Sequence, residues 1–527
     1  MRRVRGKPRV RVAIIGAGFA GSILARVLEV QGHDVTLVEK SRHPRFAIGE
    51  SSTPLAAICL ERLADRYTLP ELRNLAAYGR WVEAIPHVRR GLKRGFTFYG
   101  HERNHPFSNT MRNNRRLLVA ASPEDRIADS HWLRSDVDAY LAKAAVDAGV
   151  RYLEQTQMAS AEVSESIRLR GSDQNGAVSI DADVVIDAAG NAGFLGRQLG
   201  LASAERQTNL TTALVFGHFE GVQPFADVAS ISNSMPVGPY PDDRAAVHHL
   251  LREGWMYQLP FDHGIVSAGF LIERGPWWKI QQTMSPRELW HDMLHAYPSL
   301  AEQFSDAEPV TEIQIVPQLQ RRLGKAAGPN WALLPYSYAF SSPMFSTGIA
   351  WSLTAVERLA RAFEDPATLP SAFDRYGALL RDEAVHLEHL VAGAYAARHN
   401  FDTFVEYTML YFAAASFSEA SQRLLDVAPG GHEWCWDGFL GARDPQLQPL
   451  IEMISKELRT AQPEPGELAS RIREGIASRN VAGLSDASRN RLYSIDLDDL
   501  VKKADLFGMT TEEIRLQLPR LRGTDQN

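Results

Sequence analysis

Apolar runs and glycines near the start of the chain predict a strand–turn–helix–strand unit. Residues 10–15 are largely apolar and β-branched, and this run ends abruptly at the glycine-rich segment 16–21. Apolar residues then recur at helical spacing over 23–28, and a second apolar run ends at Glu39. A βαβ unit of this kind, about 30 residues long, is typical of a parallel sheet.

The pattern further along predicts a helix, several strands and a helical C-terminal region. Residues 135–150 predict an amphipathic helix, because apolar residues recur there at helical spacing. Helical patterns dominate from residue 352 onward. Apolar or alternating runs indicate strands at 184–187, 211–219, 255–261 and 265–272.

The composition excludes several classes of protein. The 527 residues are 45% hydrophobic and 23% charged, which excludes a collagen-like, disordered or multi-span membrane chain. This length predicts about three to four structural units. No apolar run reaches the roughly 18 residues that a membrane helix needs. The net charge of −6 gives no general attraction to nucleic acid or to an anionic membrane.

The cysteines and the first residues indicate a cytoplasmic location. Cys59 and Cys435 are the two cysteines of the sequence, too few for a disulfide framework or a four-cysteine zinc site. They suit a reducing cytoplasm. Residues 1–9 are basic, but the apolar run after them is too short for a signal peptide, so we predict a basic arm leading into the first strand.

The glycine motif predicts a dinucleotide site. Gly16 allows a tight turn, Gly18 lets the backbone approach a pyrophosphate, and Gly21 lets the helix lie close to the sheet. The pyrophosphate then meets the unpaired amides at the positive end of the helix. Glu39, at the end of the second strand, is suited to accept hydrogen bonds from ribose hydroxyls. A glycine turn without a ligand is the alternative.

Four segments together resemble the flavoprotein monooxygenase superfamily and, within it, the FADH2-dependent halogenases. They are residues 16–21, the segment Gly49-Glu50-Ser51, Arg134 ahead of Asp138, and residues 187–190. The resemblance implies FAD as the cofactor. The residues implied to contact it are Gly16, Gly18, Phe19, Ala20, Gly21, Glu39, Lys40, Ile48, Gly49, Glu50, Ser51, Arg134, Asp187, Gly190 and Ile349.

The resemblance also implies an α/β fold with a GR2-type, Rossmann-like FAD-binding domain. We expect this domain to be discontinuous, covering 1–205 and 315–360. Residues 206–314 would form a substrate domain built on an antiparallel sheet, and 361–527 a C-terminal helical region. The resemblance covers roughly residues 10–355 and provides no motif beyond about 425.

The segment 340–348 is similar to the halogenase pattern Phe-x-x-Pro-x-x-Ser-x-Gly. A glycine-containing turn can present successive amides to an anion. The resemblance implies that the amides of Thr347 and Gly348 hold chloride or bromide, and that Ile349 touches the flavin. The alternative is a plain helix cap, with Ser346 or Thr347 bonded to the first turn of a helix.

A second segment, 255–260, resembles a degenerate Trp-x-Trp-x-Ile-Pro pattern. In the family it keeps substrate away from the flavin, so Trp255, Tyr257 and Pro260 would block that approach with large side chains. An aromatic strand of the core explains the same residues equally well.

Lys93 matches the family's Lys-x-Gly pattern and is the candidate catalytic residue. A buried lysine has a tunable pKa, so it can hydrogen-bond hypohalous acid as an ammonium or form a haloamine as an amine. The alternative is an ordinary solvated lysine.

Three departures from the family bear on the substrate. Leu334-Pro335-Tyr336 stands where related flavoproteins carry Gly-Asp, and Ser342 replaces an aspartate. Phe345 stands where tryptophan halogenases carry a glutamate. The missing carboxylate favours a phenol over an indole, because a phenolic oxygen activates its own ring.

We therefore predict a halogenase of an electron-rich, phenolic compound, free or carrier-bound. One glycine-rich unit is evident, so reduced FAD would come from a separate flavin reductase. The alternatives are an FAD-dependent aromatic hydroxylase and a prenyl-reductase-like flavoprotein with a lipid groove.

Other polar and aromatic residues receive structural interpretations. Glu383-x-x-His386 resembles a metal-binding motif, but a solvated helix face is the favoured interpretation, and we predict no metal site. His248 and His249 are interpreted as edge or pocket-wall residues. The hydrophobic core is the simplest location for four aromatic residues of the C-terminal region, and an arene pocket is the alternative. These residues are Tyr407, Tyr411, Phe412 and Phe417.

Overall fold

The structure is a computed structural model that describes residues 8–229, 235–275, 278, 283–425, 433–461 and 463–521. Most of the predicted basic arm lies outside these residues. The strands are β1 (Arg11–Ile15), β2 (Asp34–Val38), β3 (Arg90–Lys93), β4 (Gly95–Gly100), β5 (Arg116–Ala120), β6 (Asp129–Trp132), β7 (Arg151–Leu153), β8 (Gln157–Val163), β9 (Ile167–Asp173), β10 (Gly176–Ala182), β11 (Val184–Asp187), β12 (Thr212–Glu220), β13 (Ala246–Leu250), β14 (Gly254–Pro260), β15 (Val266–Glu273), β16 (Glu308–Pro309), β17 (Gln314–Val316), β18 (Arg321–Arg322), β19 (Ala327–Gly328), β20 (Trp331–Leu333), β21 (Ala339–Phe340) and β22 (Leu492–Tyr493).

The helices alternate with these strands at first and then dominate. They are α1 (Phe19–Val30), α2 (Pro54–Arg66), α3 (Tyr78–Ala84), α4 (Arg134–Asp147), α5 (Phe194–Gln198), α6 (Phe225–Val228), α7 (Pro286–His295), α8 (Pro298–Gln303), α9 (Pro335–Tyr338), α10 (Gly348–Ala362), α11 (Leu369–Ala397), α12 (Phe401–Leu425), α13 (Leu447–Thr460), α14 (Pro465–Ile476), α15 (Leu497–Lys502) and α16 (Thr511–Leu521).

The predicted βαβ unit forms the centre of a Rossmann-like sheet. Within the described ranges this sheet has six strands in the order β19–β20–β11–β1–β2–β7, all parallel except the β19–β20 pair. β1 and β11 are continuous apolar runs, because parallel strands are covered on both faces. Helix α1 packs against α4 and α10. This sheet confirms the α/β class.

A second, larger sheet carries the substrate-domain strands. Across the described chain its order is β16–β12–β15–β14–β13–β4–β5–β22, with β17 also paired to β12. The sheet is mixed rather than purely antiparallel, because β4–β13 and β5–β22 are parallel. Each of these pairs joins segments far apart in sequence, and long connections permit parallel pairing. Since β4 and β5 lie outside 206–314, the sheet extends beyond the expected substrate domain.

The C-terminal region is mainly helical, as predicted. Helix α11 packs against α12 and α13, and α12 packs against α14. The region is not helical throughout, because β22 pairs with β5 and so extends the larger sheet. None of the helices described here is long and apolar enough to cross a membrane.

A small ladder brings distant segments to the candidate site. Strands β3 and β6 are antiparallel, and Lys93 lies directly opposite Asp129. On the other side of β6, the Ser52 amide donates to the Ser130 carbonyl at 3.2 Å. Glu50 and Ser51, implied to contact the flavin, and the neighbouring Ser52 are therefore held on one side of β6, with Lys93 on the other.

Candidate functional site

A cavity of about 330 Å³ begins at the amino end of α1. Its volume lies within the range of about 300–1,000 Å³ that is usual for small-molecule sites. We call it the flavin cavity. Among the implied cofactor residues, those that line it are Gly18, Phe19, Ala20, Gly21, Ile48, Gly49, Glu50, Ser51, Arg134, Gly190 and Ile349.

The glycine turn at this cavity has the geometry that a dinucleotide site requires. Gly16 has φ +111°, and a Cβ there would lie 2.5 Å from the Ala188 carbonyl oxygen. Only glycine adopts this conformation without strain. Ser51 Oγ is buried at the same cavity and has no hydrogen-bond partner among the described residues. An unsatisfied buried hydroxyl is suited to a polar ligand, so the cavity fits FAD.

Arg134 ties residues 48–53, which we call the flavin loop, to the first helix. Its Nη1 donates to the carbonyls of Ile48 at 2.8 Å and Gly49 at 3.2 Å. Its Nη2 donates to Asp138 Oδ2 at 2.9 Å, and Asp138 Oδ1 accepts the Phe19 amide at 3.1 Å. Arg134 therefore lines the cavity and also fixes two of its walls.

Glu39 lies beside the glycine turn, and its carboxylate already accepts hydrogen bonds from other residues of the protein. Its oxygens accept hydrogen bonds from the amides of Ala17 at 3.1 Å and Ser41 at 3.0 Å. Arg45, which lines the flavin cavity, donates to it at 3.1 Å. Sequence reasoning missed Arg45, because an arginine between two motifs carries no pattern of its own. Lys40 is exposed and does not line the cavity.

Asp187 holds the turn after β11 rather than lining the cavity. Its carboxylate accepts hydrogen bonds from the amides of Ala189 at 2.9 Å and Leu195 at 2.7 Å, and from Ser337 Oγ at 2.9 Å. Burial raises its pKa, and these three donors oppose the rise. Asp187 thus positions Gly190, which does line the cavity.

The predicted halide turn leads directly into α10. Ser346 has φ +51°, and Thr347 is the N-cap of α10 without a side-chain capping bond. The alternative, a Ser or Thr side chain that caps this helix, is therefore wrong. The first amides of α10 follow at Gly348 and Ile349, and a helix start of this kind favours anions.

Tyr336 projects its ring against this turn. A Cβ on Gly348 would lie 1.5 Å from Tyr336 Oη, and a Cβ on Gly49 would lie 3.7 Å from it. Burial raises the pKa of Tyr336 to about 12, so the phenol is neutral at pH 7. The sequence marked position 336 as a departure from the family, but it did not predict that the hydroxyl reaches into the flavin cavity.

Lys93 is wholly buried and lies behind the flavin loop. Its Nζ donates to the Ser52 carbonyl at 2.5 Å and lies 4.2 Å from the centroid of the Phe96 ring. The alternative of a solvated lysine is thus excluded. Burial lowers the pKa of Lys93 to about 7, and the Asp129 carboxylate opposes this fall. Burial also raises the pKa of Asp129 to about 7.

A second cavity, of about 90 Å³, is lined in part by Phe96, the ring over which the Lys93 amine lies. We call it the small cavity. Thr53 and Thr347 line it, together with the rings of Phe96, Tyr411 and Phe412. Thr347 faces the small cavity and Gly348 the flavin cavity. The predicted halide turn, residues 346–348, therefore lies between the two cavities.

The same division holds along the flavin loop. Ser51 lines the flavin cavity, Thr53 lines the small cavity, and Ser52 between them accepts the Lys93 hydrogen bond. Lys93 itself lines neither cavity, and its amine bonds Ser52, the residue between the two that line them. We call the boundary formed by Ser52, Lys93, Thr347 and Gly348 the wall.

The segment predicted to block the approach to the flavin lines part of the flavin cavity. Trp255 and Tyr257 line the flavin cavity, and the Trp255 indole donates to Tyr395 Oη at 2.7 Å. Pro260 ends β14 and does not line the cavity. His248 lines it as a wall residue, and burial lowers the pKa of its imidazole to about 3. His249 instead pairs with His101 at 2.9 Å.

The aromatic residues of α12 divide between pocket and core. Tyr411 and Phe412 line the small cavity. Tyr407 is buried and donates to the His389 carbonyl at 3.2 Å. Phe417 stacks on Phe507 with ring centroids 5.5 Å apart.

Glu383 and His386 are buried, so their interpretation as a solvated helix face is wrong. Glu383 pairs with Arg358 at 2.5 Å, and both side chains are fully buried. His386 pairs with the Leu440 carbonyl at 3.0 Å. A charge can be buried when a partner neutralises it, and the sequence does not reveal such a partner. In the described part of the chain, no group of three or more His, Cys, Asp or Glu could hold a metal ion.

We expect Glu383→Ala to lower the free energy of unfolding by about 3–5 kcal/mol, because it leaves the buried Arg358 charge without its carboxylate partner. The exposed Lys143–Asp147 pair offers a control, since Asp147→Asn removes a bond worth about 0.5 kcal/mol or less. Urea unfolding of both variants measures the difference. Equal losses would contradict the structural role of Glu383.

Comparison with known proteins defines the class. The family model described as FAD dependent oxidoreductase matches residues 11–314, more than half of the chain. The chain therefore belongs to the FAD-dependent oxidoreductase family, and FAD is its cofactor.

Within this class, similar proteins include flavin-dependent halogenases. Monodechloroaminopyrrolnitrin halogenase PrnC of Pseudomonas fluorescens is 25% identical over 74% of this chain and 68% of its own length. Tetracycline 7-halogenase of Kitasatospora aureofaciens is 26% identical over 66% of this chain, and the match spans 62% of that protein. These relatives confirm the resemblance to halogenases.

A solved structure has the same fold. Halogenase PltM in complex with phloroglucinol and FAD superposes with a TM-score of 0.82 at 23% identity. The match covers 92% of this chain and 100% of PltM. The FAD-binding fold and the helical C-terminal region are therefore those of a known halogenase structure.

Proposed function

We propose that the protein halogenates a single-ring phenol, using reduced FAD, dioxygen and chloride or bromide. The observation that carries the proposal is the pair of cavities separated by a wall. The halide turn reaches both cavities, and the amine of Lys93 is buried between them. A hydroxylase needs its substrate next to the flavin, whereas a halogenase can keep the two apart.

The flavin cavity would hold FAD through three groups of residues. The glycine turn and the amino end of α1 would meet the pyrophosphate, and Arg45 lies close enough to add a positive charge. The loop 48–51 and Arg134 would line the path of the flavin. When bound, FAD supplies the activation of oxygen, while the protein provides orientation and exclusion of water.

The turn at Thr347 and Gly348 is the proposed halide site. Thr347 lacks a side-chain capping bond, so the first amides of α10 are available to an anion. Lys93 is the proposed catalytic residue, since the electrophilic halogen must pass the wall in which its amine lies. Trp255 and Tyr257 would exclude the substrate from the flavin cavity.

The small cavity is the proposed substrate site. Its volume of about 90 Å³ is well below that of a drug-sized site, which favours one aromatic ring over a fused system. At position 345, where tryptophan halogenases carry a glutamate, Phe345 stacks on Tyr411 with centroids 4.4 Å apart. PltM, with a similar fold, was solved with the phenol phloroglucinol. Reduced FAD would come from a separate reductase, because the sequence has one recognisable glycine-rich nucleotide motif.

Mass spectrometry of reaction mixtures tests the function. We expect reduced FAD, oxygen, bromide and phloroglucinol to yield a product heavier by one bromine in place of one hydrogen. Chloride should give the chlorinated analogue, and free tryptophan should give no product. An oxygenated product formed equally well without halide would identify a hydroxylase instead.

A pH profile tests the environment of Lys93. The Asp129 carboxylate raises the pKa of Lys93, so Asp129→Asn should shift the limb of the activity profile set by Lys93 to lower pH. His131 and His248 also face Lys93. Burial lowers the pKa of each imidazole to about 3, so both are neutral at the pH where Lys93 titrates. The measurement is kcat/KM for phloroglucinol against pH.

The matched control for this profile is Asp125→Asn, because Asp125 is partly exposed and pairs with Arg94 and Arg244 rather than with Lys93. We expect its profile to match that of the parent. An unchanged profile in Asp129→Asn would show that Lys93 does not set the limb.

A further inference from the structure

We propose that Glu419 is the base that accepts the hydroxyl proton of the phenol, a role that rests on the halogenase function proposed above. Glu419 lies on α12 and is the one charged side chain among the described residues that line the small cavity. The other lining residues are apolar, aromatic or uncharged polar. A carboxylate in such a setting is well placed to accept a hydrogen bond from a hydroxyl group.

The position of Glu419 is fixed by its neighbour on the same helix. Arg423 Nε donates to Glu419 Oε1 at 2.9 Å, and Arg423 Nη1 lies 3.6 Å from Glu61 on α2. No hydrogen bond is described for Glu419 Oε2, within the ranges that the structure covers. One oxygen is therefore anchored while the other remains available to a ligand.

Glu419 is also electrostatically linked to the wall. Asp129 experiences the charges of both Glu419 and Lys93, and the Lys93 amine lies over Phe96, which lines the small cavity. A ring held among Phe96, Tyr411 and Phe412 would thus have the amine on the side of the wall and the carboxylate on α12. This arrangement matches a reaction in which the electrophile reaches the ring from the side of Lys93, while the hydroxyl group of the phenol gives a proton to Glu419.

In the proposed step, proton transfer to Glu419 precedes the attack of the ring on hypohalous acid. The phenol O–H bond breaks, its proton bonds to Glu419, and the electron pair raises the electron density of the ring. The ring forms a bond to the halogen of hypohalous acid as the oxygen–halogen bond breaks and releases hydroxide. The ring then loses the proton at the halogenated carbon, which converts hydroxide to water. Glu419 returns the first proton to the phenolate oxygen of the product.

This role also accounts for the departure at position 345. Phe345 is packed against Tyr411 and cannot supply a carboxylate. Glu419 approaches from a different element and serves an oxygen substituent rather than an indole. The substrate class that follows is a single ring whose hydroxyl group reaches α12.

Kinetics of the FAD-loaded enzyme with bromide and phloroglucinol provide the first test. We expect Glu419→Gln to lower kcat by about 10²-fold or more, as for other general bases, while hypobromite formation without phenol is unchanged. Glu61→Gln is the matched control, because Glu61 also contacts Arg423 but does not line the small cavity. An equal loss in Glu61→Gln would overturn the proposal, since the effect would then act through Arg423.

A binding experiment separates this role from the halogenase activity itself. 4-Nitrophenol absorbs differently as a phenol and as a phenolate, so its spectrum reports which form binds. A carboxylate at the hydroxyl group disfavours the phenolate, so the parent enzyme should bind the neutral form and weaken the phenolate band. Glu419→Gln should lose this preference.

The two measurements have distinguishable failures. If no phenol is halogenated but the parent alone selects neutral 4-nitrophenol, the reaction is wrong and the Glu419 contact stands. If halogenation proceeds and both proteins give the same spectrum and the same kcat, Glu419 does not contact the hydroxyl group.

Discussion

Replacing Lys93 by methionine should reduce bromination of phloroglucinol by about 10²–10⁴-fold, the range expected for loss of a catalytic proton donor or acceptor. The amine is buried in the wall between the two cavities, so an exposed lysine elsewhere on the protein cannot take its place. We expect FAD binding to persist, because Lys93 does not line the flavin cavity. Product yield and flavin fluorescence titration measure the two properties separately.

A control for this substitution must separate the loss of Lys93 from its effect on the buried Asp129 carboxylate opposite it. Asp129 Oδ2 has no hydrogen-bond partner in the described ranges, and Lys93→Met would remove its neighbouring positive charge. The double variant Lys93→Met/Asp129→Asn removes both groups, and we expect it to be as inactive as Lys93→Met. Bromination at the parental rate by either protein would refute the role of Lys93.

Gly348→Ala should have a comparably large effect, with a loss of bromination of about 10²-fold or more. The added Cβ would lie 1.5 Å from Tyr336 Oη, so either the turn or the ring must move. A displaced turn no longer presents its amides to the halide, and electrostatic stabilisation of this kind is commonly worth about 10²–10³-fold. The concentration of bromide that gives half-maximal rate should rise.

A second substitution tests whether the clash is the cause. Tyr336→Ala removes the ring that Gly348→Ala would meet, so Gly348→Ala/Tyr336→Ala should recover part of the bromide affinity lost in Gly348→Ala. Ala350→Gly is a control in the same helical turn that leaves the Gly348 contact unchanged. An undiminished bromide affinity in Gly348→Ala would argue against a halide site at this turn.

Local motifs made the cofactor site predictable. The glycine turn, the loop 48–51 and Arg134 each carry a short pattern, and the structure brings them to one cavity. The Lys-x-Gly pattern led to Lys93 in the same way. Short patterns indicate candidate residues where the chemistry needs consecutive backbone groups, as a pyrophosphate or a halide would.

The residues that contact these motifs were not predictable, because only the tertiary fold brings them close to one another. Asp129 reaches Lys93 only through the β3–β6 ladder. Glu419 lies near the wall because the aromatic residues of α12 pack against those of β4. Its spacing from Tyr411 and Phe412 on one helical face was a usable signal. Glu383 was misjudged because its neutralising partner, Arg358, lies on a different helix.

In the proposed enzyme, halide and substrate occupy different cavities. The most direct test is anomalous diffraction from a crystal of the FAD complex soaked with bromide and phloroglucinol. We predict a bromide peak beside the Thr347–Gly348 peptide and the phenol ring among Phe96, Tyr411 and Glu419. A phenol ring stacked in the flavin cavity beside Trp255, with no bromide at the turn, would contradict the account.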